Sequence, residues 1–355
     1  MKSKRTLMYG AITVTLASAL ALGALELAVR ILAPQHTKVS VPAVLDHELI
    51  YRLPSYAEGT DVKEEFAVTI RTNALGLRDR DYAATKRQHV LRRLLVLGDS
   101  MTFAEGVETE ETYPKFLEQA LGDRYEVINA AIRGYGTDQE LVLFEMLIPA
   151  YRPDVVVLAV YPSNDFDDNL YGHLFEIRDD RLVRVPLSKE SSPKLRYYNR
   201  QSFIQNFPGY RFLIQHSHLM NLLRTRWAAF EFQRVFPDPT LSDTEEEKAW
   251  ELTRALLLAW EDRARRASIE PVLLIIPSSH QVYSGKVPST DARTERLITH
   301  ARTQGLPLVD AREVLQAARE MKRLYYPKDL HMTPEGHRVV ATFLRTELVS
   351  LGILP

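Results

Sequence analysis

Residues 92–102 read Arg92-Arg93-Leu94-Leu95-Val96-Leu97-Gly98-Asp99-Ser100-Met101-Thr102. Leu94 to Leu97 is a short apolar run with no polar alternation, which suits a strand buried on both faces. Gly98 and Asp99 end the run in turn chemistry, and Ser100 follows directly. The same grammar recurs downstream. Glu126-Val127-Ile128, Val155 to Val160, Pro271 to Ile276 and Leu306 to Val309 are further apolar runs. Helical patterns lie between them, at Tyr113–Leu121 and Asp138–Ala150 among others. Five such strands joined by helical crossovers predict a doubly wound, parallel α/β domain. The last helix opens at Thr333-Pro334-Glu335, a cap residue followed by proline at the first helical position.

Sites in such sheets form at the carboxyl ends of the strands, so the residues just after each run matter most. Ser100 follows the first strand. Gly134 follows the second, in Arg133-Gly134-Tyr135-Gly136. Asn164 follows the third, in Tyr161-Pro162-Ser163-Asn164-Asp165. Asp329 and His331 stand just before the last helix, in Lys328-Asp329-Leu330-His331-Met332. Each has a bland reading. Gly-Asp-Ser is a common turn and helix cap, Gly134 an ordinary strand-to-helix turn, Asn164 a turn former, and His331 a surface histidine beside a cap. Each also has a chemical reading. Serine needs an adjacent base, histidine supplies one near neutral pH, and a carboxylate fixes its tautomer. A glycine N–H and an asparagine amide can meet a developing oxyanion. Ser, Gly and Asn on three successive strand ends, with Asp and His downstream, make the bland readings improbable together.

These blocks resemble those of the SGNH (GDSL-like) hydrolase superfamily, over roughly residues 93–169 and 246–355. The resemblance implies a flavodoxin-like three-layer α/β/α fold with about five parallel strands. It also implies Ser100 as nucleophile, His331 and Asp329 as its base pair, and an oxyanion hole from Ser100, Gly134 and Asn164. Two departures stand out. The first block continues Met101-Thr102 where the family has leucine, and the last block is Asp-x-His where many members have Asp-x-x-His. With an N-terminal apolar helix, the shorter spacing looks like the exported branch that includes alginate-type O-acetyltransferases. The expected activity is a serine esterase that cleaves an O-acyl ester through an acyl-enzyme on Ser100. One alternative is an O-acyltransferase that passes an acetyl or acyl group to a cell-envelope carbohydrate. Another is a non-catalytic binding protein that keeps the fold, against which the intact set of site residues counts.

The rest of the chain bounds these readings. Lys2, Lys4 and Arg5 precede Leu7–Leu25, 19 residues without a charge. At about 1.5 Å per residue that run is roughly 28 Å long, close to a bilayer's hydrocarbon core. It predicts a signal anchor over residues 1–33, transmembrane at about 7–29, with the remainder exported to the periplasm or cell exterior. A cleaved signal peptide is the alternative, since Ala17-Ser18-Ala19 and Ala19-Leu20-Ala21 resemble cleavage sites. Residues 34–92 read as lead-in strands and loops, where Phe66, Val68 and Ile70 alternate with polar or small neighbours. Residues 93–355 form the hydrolase domain, with an aromatic-rich, mostly helical insertion at about 170–245. That insertion is read as an extra packed layer, a lid, or a surface near the membrane.

The net charge of −1, from 45 basic and 46 acidic residues, gives no clustered basic face for nucleic acid. The absence of cysteine excludes disulfides and thiolate chemistry. Asp165, Asp167, Asn169 and Glu176 match calcium-loop spacing, but Leu170 stands where that loop needs glycine. No metal and no cofactor is expected. The expected partners are an acyl ester or O-acylated carbohydrate, and the membrane.

Overall fold

The computed structural model describes residues 2–37, 40–236, 241–284 and 287–355. The first element is a long helix, α1 (Lys2–Leu32). Two antiparallel hairpins follow, β1 (Val44–Asp46) with β2 (Ile50–Arg52), and β3 (Glu58–Val62) with β4 (Ala67–Arg71). The alternating core then begins: β5 (Arg92–Leu97), α2 (Ser100–Phe103), α3 (Tyr113–Leu121), β6 (Tyr125–Asn129), α4 (Thr137–Tyr151), β7 (Val155–Val160) and α5 (Asp165–Gly172). A third hairpin, β8 (Phe175–Arg178) with β9 (Arg181–Arg184), leads to α6 (Pro193–Gln205), α7 (Tyr210–His216) and α8 (His218–Val235). The core resumes with α9 (Asp243–Arg266), β10 (Glu270–Ile275), α10 (Ser279–Tyr283), α11 (Pro288–Gln304), β11 (Leu308–Asp310), α12 (Arg312–Ala318) and α13 (Pro334–Ser350).

The chain divides into two compact units. One holds α1, the end of α6 from Phe203, α7 and α8. The other holds the hairpins, the sheet and the remaining helices. In the second unit five parallel strands run in the order β11-β10-β7-β5-β6. Numbered among themselves this is 2-1-3-4-5, the flavodoxin-like order, whose switch point lies between β5 and β7. Side chains alternate between two covered faces. Leu95, Leu97, Val156 and Leu158 pack with Phe144 of α4, Trp260 of α9 and Leu297 of α11. Leu94, Val96, Val155 and Val157 pack with Leu117 of α3 and Leu344 of α13. Covering both faces is why the strands read as unbroken apolar runs. The three-layer α/β/α architecture expected from the sequence is therefore present.

The lead-in packs with the first of these faces through Leu49, Tyr51, Leu53, Val68 and Ile70. The insertion departs from its expected, mostly helical character at β8–β9. Its turn residues Asp179 and Asp180 both take positive φ, 48° and 57°. That is type I′ turn chemistry, which suits the twist of a two-residue hairpin. Residues 237–240 of the expected insertion lie outside the described residues.

In the other unit, α1 contains a stretch, Lys4–Leu32, long and apolar enough to cross a membrane, and its residues are exposed apart from the half-buried Glu26 and Val29.

Candidate active site

Ser100 is the first residue of α2, at the carboxyl end of β5. The chain turns sharply here because Gly98 passes close to the next helix. A side chain at Gly98 would overlap Thr102 Oγ1. Asp99 caps α2 by accepting the Met101 N–H at 2.8 Å, so the capping reading of Gly-Asp-Ser is correct for Asp99. Ser100 Oγ is left half-buried, 2.9 Å from His331 Nε2 and 3.4 Å from Asp99 Oδ2. The shorter contact gives its hydroxyl hydrogen to His331.

Asp329 and His331 lie on the loop before α13. The Tyr326 N–H donates to the His331 carbonyl, and Tyr325 bridges to Met332. Leu330 between them takes φ 69°. This left-handed residue folds the loop so that Asp329 Oδ1 reaches His331 Nδ1, 2.6 Å away and two positions on. An Asp-x-His spacing thus closes the same contact that a longer spacing would. Nδ1–H donates to the carboxylate, leaving Nε2 to accept from Ser100.

The lead-in builds the far wall, and nothing in the sequence spacing signalled it. Glu65 Oε2 accepts the N–H groups of Lys328 and Asp329 at 2.9 and 2.8 Å. Lys63 Nζ lies 2.6 Å from Asp329 Oδ2 and 3.3 Å from Glu105 Oε2. Glu105 Oε2 is in turn 3.6 Å from His331 Nε2. Arg133 joins Glu105 (3.2 Å) to Asp61 (2.8 Å). Glu105, Asp329 and His331 are close enough to hold a cation, but the Lys63 ammonium bonds both carboxylates and fills that place. The calcium-like set is dispersed. Asp165 accepts the Tyr161 N–H, Asp167 pairs with Arg293, Asn169 bonds Thr253, and Glu176 pairs with Arg178.

Charge follows from these partners. Burial would raise the Asp329 carboxyl, but hydrogen bonds from His331 and Lys63 hold it at about 2. Burial would lower His331, yet the Asp329 hydrogen bond and the charges of Glu105 and Asp329 prevail and raise it above its usual value. Asp99, buried beneath, is pushed up to about 6 by desolvation.

Asn164 precedes α5, at the carboxyl end of β7. Its Nδ2 lies 3.4 Å from Asp99 Oδ2 and 3.1 Å from Asp168 Oδ2, so it sits beside the serine turn. Gly134 takes φ 73°, which favours glycine. Two lead-in and insertion residues hold its backbone. Tyr51 Oη donates to the Arg133 carbonyl at 2.7 Å, and Lys194 Nζ donates to the Gly134 carbonyl at 2.7 Å. The Arg133 carbonyl and the Gly134 N–H share one peptide and point in opposite directions. Tyr51 therefore turns the Gly134 N–H away from itself, and that N–H finds no backbone acceptor among the described residues. Ser100, His331 and Asp329 are thus joined by direct bonds. Asn164 joins them through Asp99, while Gly134 is positioned through its own loop.

A serine hydroxyl bonded to a histidine, itself bonded to a carboxylate, is the arrangement that activates serine for attack on an acyl carbon. Residues 235–352, which carry the Asp329–His331 loop, match the family described as "SGNH hydrolase-like domain, acetyltransferase AlgX". Over those residues the chain resembles an SGNH hydrolase-like domain. No curated protein matches it. Solved structures that match the chain include an acetylxylan esterase from Geobacillus stearothermophilus, studied as a catalytic mutant of Axe2. It is 14% identical, the match covers 73% of this chain and 94% of that one, and the TM-score is 0.42. The psychrotrophic esterase EstA from Pseudoalteromonas sp. is 14% identical, with 74% and 100% covered and a TM-score of 0.40. A protein from Desulfitobacterium hafniense DCB-2, described as lipolytic and of the G-D-S-L family, is 15% identical, with 72% and 99% covered and a TM-score of 0.42. Beside the Ser100–His331–Asp329 line a cleft of about 640 Å³ opens, lined by Tyr283, Arg323, Tyr326 and Leu330 among others.

Proposed function

We propose that this protein is a membrane-anchored serine esterase that cleaves an O-acyl ester through an acyl-enzyme on Ser100. The observation that carries the reading is the unbroken line from Ser100 Oγ to His331 Nε2 (2.9 Å) and from His331 Nδ1 to Asp329 (2.6 Å). As Oγ attacks the acyl carbonyl, His331 Nε2 takes its proton, and Asp329 stabilises the imidazolium. The Ser100 and Gly134 N–H groups and the Asn164 amide meet the oxyanion. Collapse expels the alcohol, which takes the proton from His331. A water, deprotonated by the same nitrogen, then releases the acid and frees Ser100.

Residues 1–33 are read as the anchor, 34–92 as the lead-in, and 93–355 as the catalytic domain with its insertion at about 170–245. An apolar helix behind Lys2, Lys4 and Arg5 supports export of that domain to the periplasm or cell exterior. The substrate class is an acyl ester or O-acylated carbohydrate.

One observation favours a second reading. The family matched over residues 235–352 is described by an acetyltransferase. In that reading the acyl group passes from Ser100 to a carbohydrate hydroxyl instead of to water. The chemistry up to acylation is identical, so what the site admits next decides between them.

A fluorophosphonate probe is expected to label the full chain, and Ser100→Ala to abolish labelling. Labelling that persists in Ser100→Ala refutes the nucleophile. Supplying an acyl donor with and without a glycan acceptor separates the two readings. Free acid alone supports the esterase, and acylated glycan supports transfer.

A further inference from the structure

The unit formed by α1, α7 and α8 carries apolar surface that the described chain leaves uncovered. Leu223, Trp227 and Phe230 are exposed on α8, at the i, i+4, i+7 spacing of one helix stripe. Phe232 of α8, Phe212 of α7, and Phe203 and Phe207 just before it are more than half exposed. Soluble surfaces seldom show so many large apolar groups together without a use.

The charge is equally uneven. Residues 203–236 contain Arg211, Arg224, Arg226 and Arg234 against a single acid, Glu231. Glu231 is buried, whereas Arg211, Arg226 and Arg234 are exposed. Aromatic and leucine side chains beside arginines offer apolar groups to the acyl boundary and cations to anionic headgroups. Four arginines and a glutamate within this segment argue against its crossing the bilayer.

What selects lipid as the occupant is where α8 is tied. Glu26 is the first charged residue after the uncharged run Leu7–Leu25. Its carboxylate caps the start of α8. It accepts from Ser217 Oγ at 2.7 Å and from the His218 and Leu219 N–H groups at 2.9 Å each. Arg30 Nε donates to the same carboxylate at 2.6 Å, and the Gln35 N–H donates to His218 Nδ1 at 2.8 Å. With Leu7–Leu25 in the hydrocarbon, Glu26 stands in the last turn of the span read at about 7–29, on its exported side. The bonds to Glu26 then hold α8 at the headgroup level.

We propose that α7 and α8 form an interfacial docking surface, with Phe212, Leu223, Trp227 and Phe230 in the outer boundary of the hydrocarbon and Arg211, Arg226 and Arg234 among anionic headgroups. The surface rests on the anchor reading of α1 given above. It makes the membrane contact a helix and a platform, not a single tether.

The chain has no cysteine, so single-cysteine variants of the full protein accept one fluorophore each. Leu16→Cys reports on α1, Trp227→Cys and Phe230→Cys on α8, and Arg345→Cys on an exposed site of α13. The labelled proteins are reconstituted in vesicles of phosphatidylethanolamine and phosphatidylglycerol. Quenching is then read with shallow nitroxide lipid, deep nitroxide lipid and aqueous iodide. Labels at 227 and 230 are expected to be at least about twofold more quenched by shallow lipid than the label at 345, and protected from iodide. The label at 16 is expected to respond to deep lipid. Iodide quenching at 227 and 230 equal to that at 345, with position 16 still deep, overturns the docking surface and leaves the anchor standing. Iodide quenching at 16 as well overturns the anchor and the surface with it. Labels at 227 and 230 shielded from both lipid and iodide, with cross-links between copies, overturn the proposal in favour of a second copy of this chain.

Discussion

His331 lies between two carboxylates, and removing the charge of Glu105 should move the acid limb of the proposed esterase activity. Asp329 bonds Nδ1 at 2.6 Å, and Glu105 Oε2 lies 3.6 Å from Nε2, the nitrogen proposed to take the serine proton. Two unit charges 3.6 Å apart interact by about 4–5 kcal/mol at an effective dielectric of about 20. Lys63 Nζ, 3.3 Å from the same Glu105 oxygen, cancels part of this, and partial exposure screens more. A net shift of about 1–2 pKa units remains, within the range found for an opposite charge at such distances. Glu105→Gln keeps the shape and an acceptor for Arg133 but removes the charge. The acid limb of kcat/KM, measured on p-nitrophenyl acetate from about pH 4 to 9, should move about one unit or more to lower pH. The plateau at high pH should change little, and the unfolding temperature is measured alongside. An acid limb that stays in place, in a variant that is folded and active, refutes the electrostatic coupling of Glu105 to the base.

Lys63→Met should move the same limb the opposite way, to higher pH, because it removes a cation that bonds both carboxylates; Lys63→Arg should restore it, and pH profiles of the two variants check this. Tyr51→Phe removes the hydroxyl that holds the Arg133 carbonyl at 2.7 Å. It should lower kcat by about tenfold with KM nearly unchanged, as expected when an oxyanion donor is misaligned and the binding surface is not. His337, buried beside Arg78 and His331, is held neutral down to about 3, chiefly by burial. Its unfolded form takes a proton near 6.5, so stability is full above that pH and falls as pH drops from 6.5 toward 3, by up to about 1.4 kcal/mol per pH unit. Denaturant titrations in detergent at several pH values should show this slope, and His337→Gln should remove it.

The local grammar of the chain was enough for the architecture. Unbroken apolar runs at 94–97 and 155–160 require cover on both faces, and helical segments between them require parallel crossovers. Right-handed crossovers then bring Ser100, Asn164 and the Asp329–His331 loop to one edge of the sheet. Proline at the start of α13 and the glycine at 134 were legible for the same reason, since each answers to its own backbone. The Asp179-Asp180 hairpin was legible in principle. Its strands of four residues each carry too short an alternation to stand out beside the aromatic helices that follow.

Only the tertiary structure decided what surrounds the His331 imidazole. Lys63 and Glu65 are more than 260 positions from Asp329 along the chain and carry no motif. They reach it because β3–β4 presents its turn to that loop. Glu105 reads as an ordinary acid after a short helix until folding places it beside Nε2. Tyr51 reads as an apolar strand residue until its hydroxyl meets Arg133. Periodicity reports which side of its own element a residue occupies, and so it reveals strands, helices and strand ends. Charge tuning of His331 depends on distances between segments remote in sequence, and those exist only once the packing is complete.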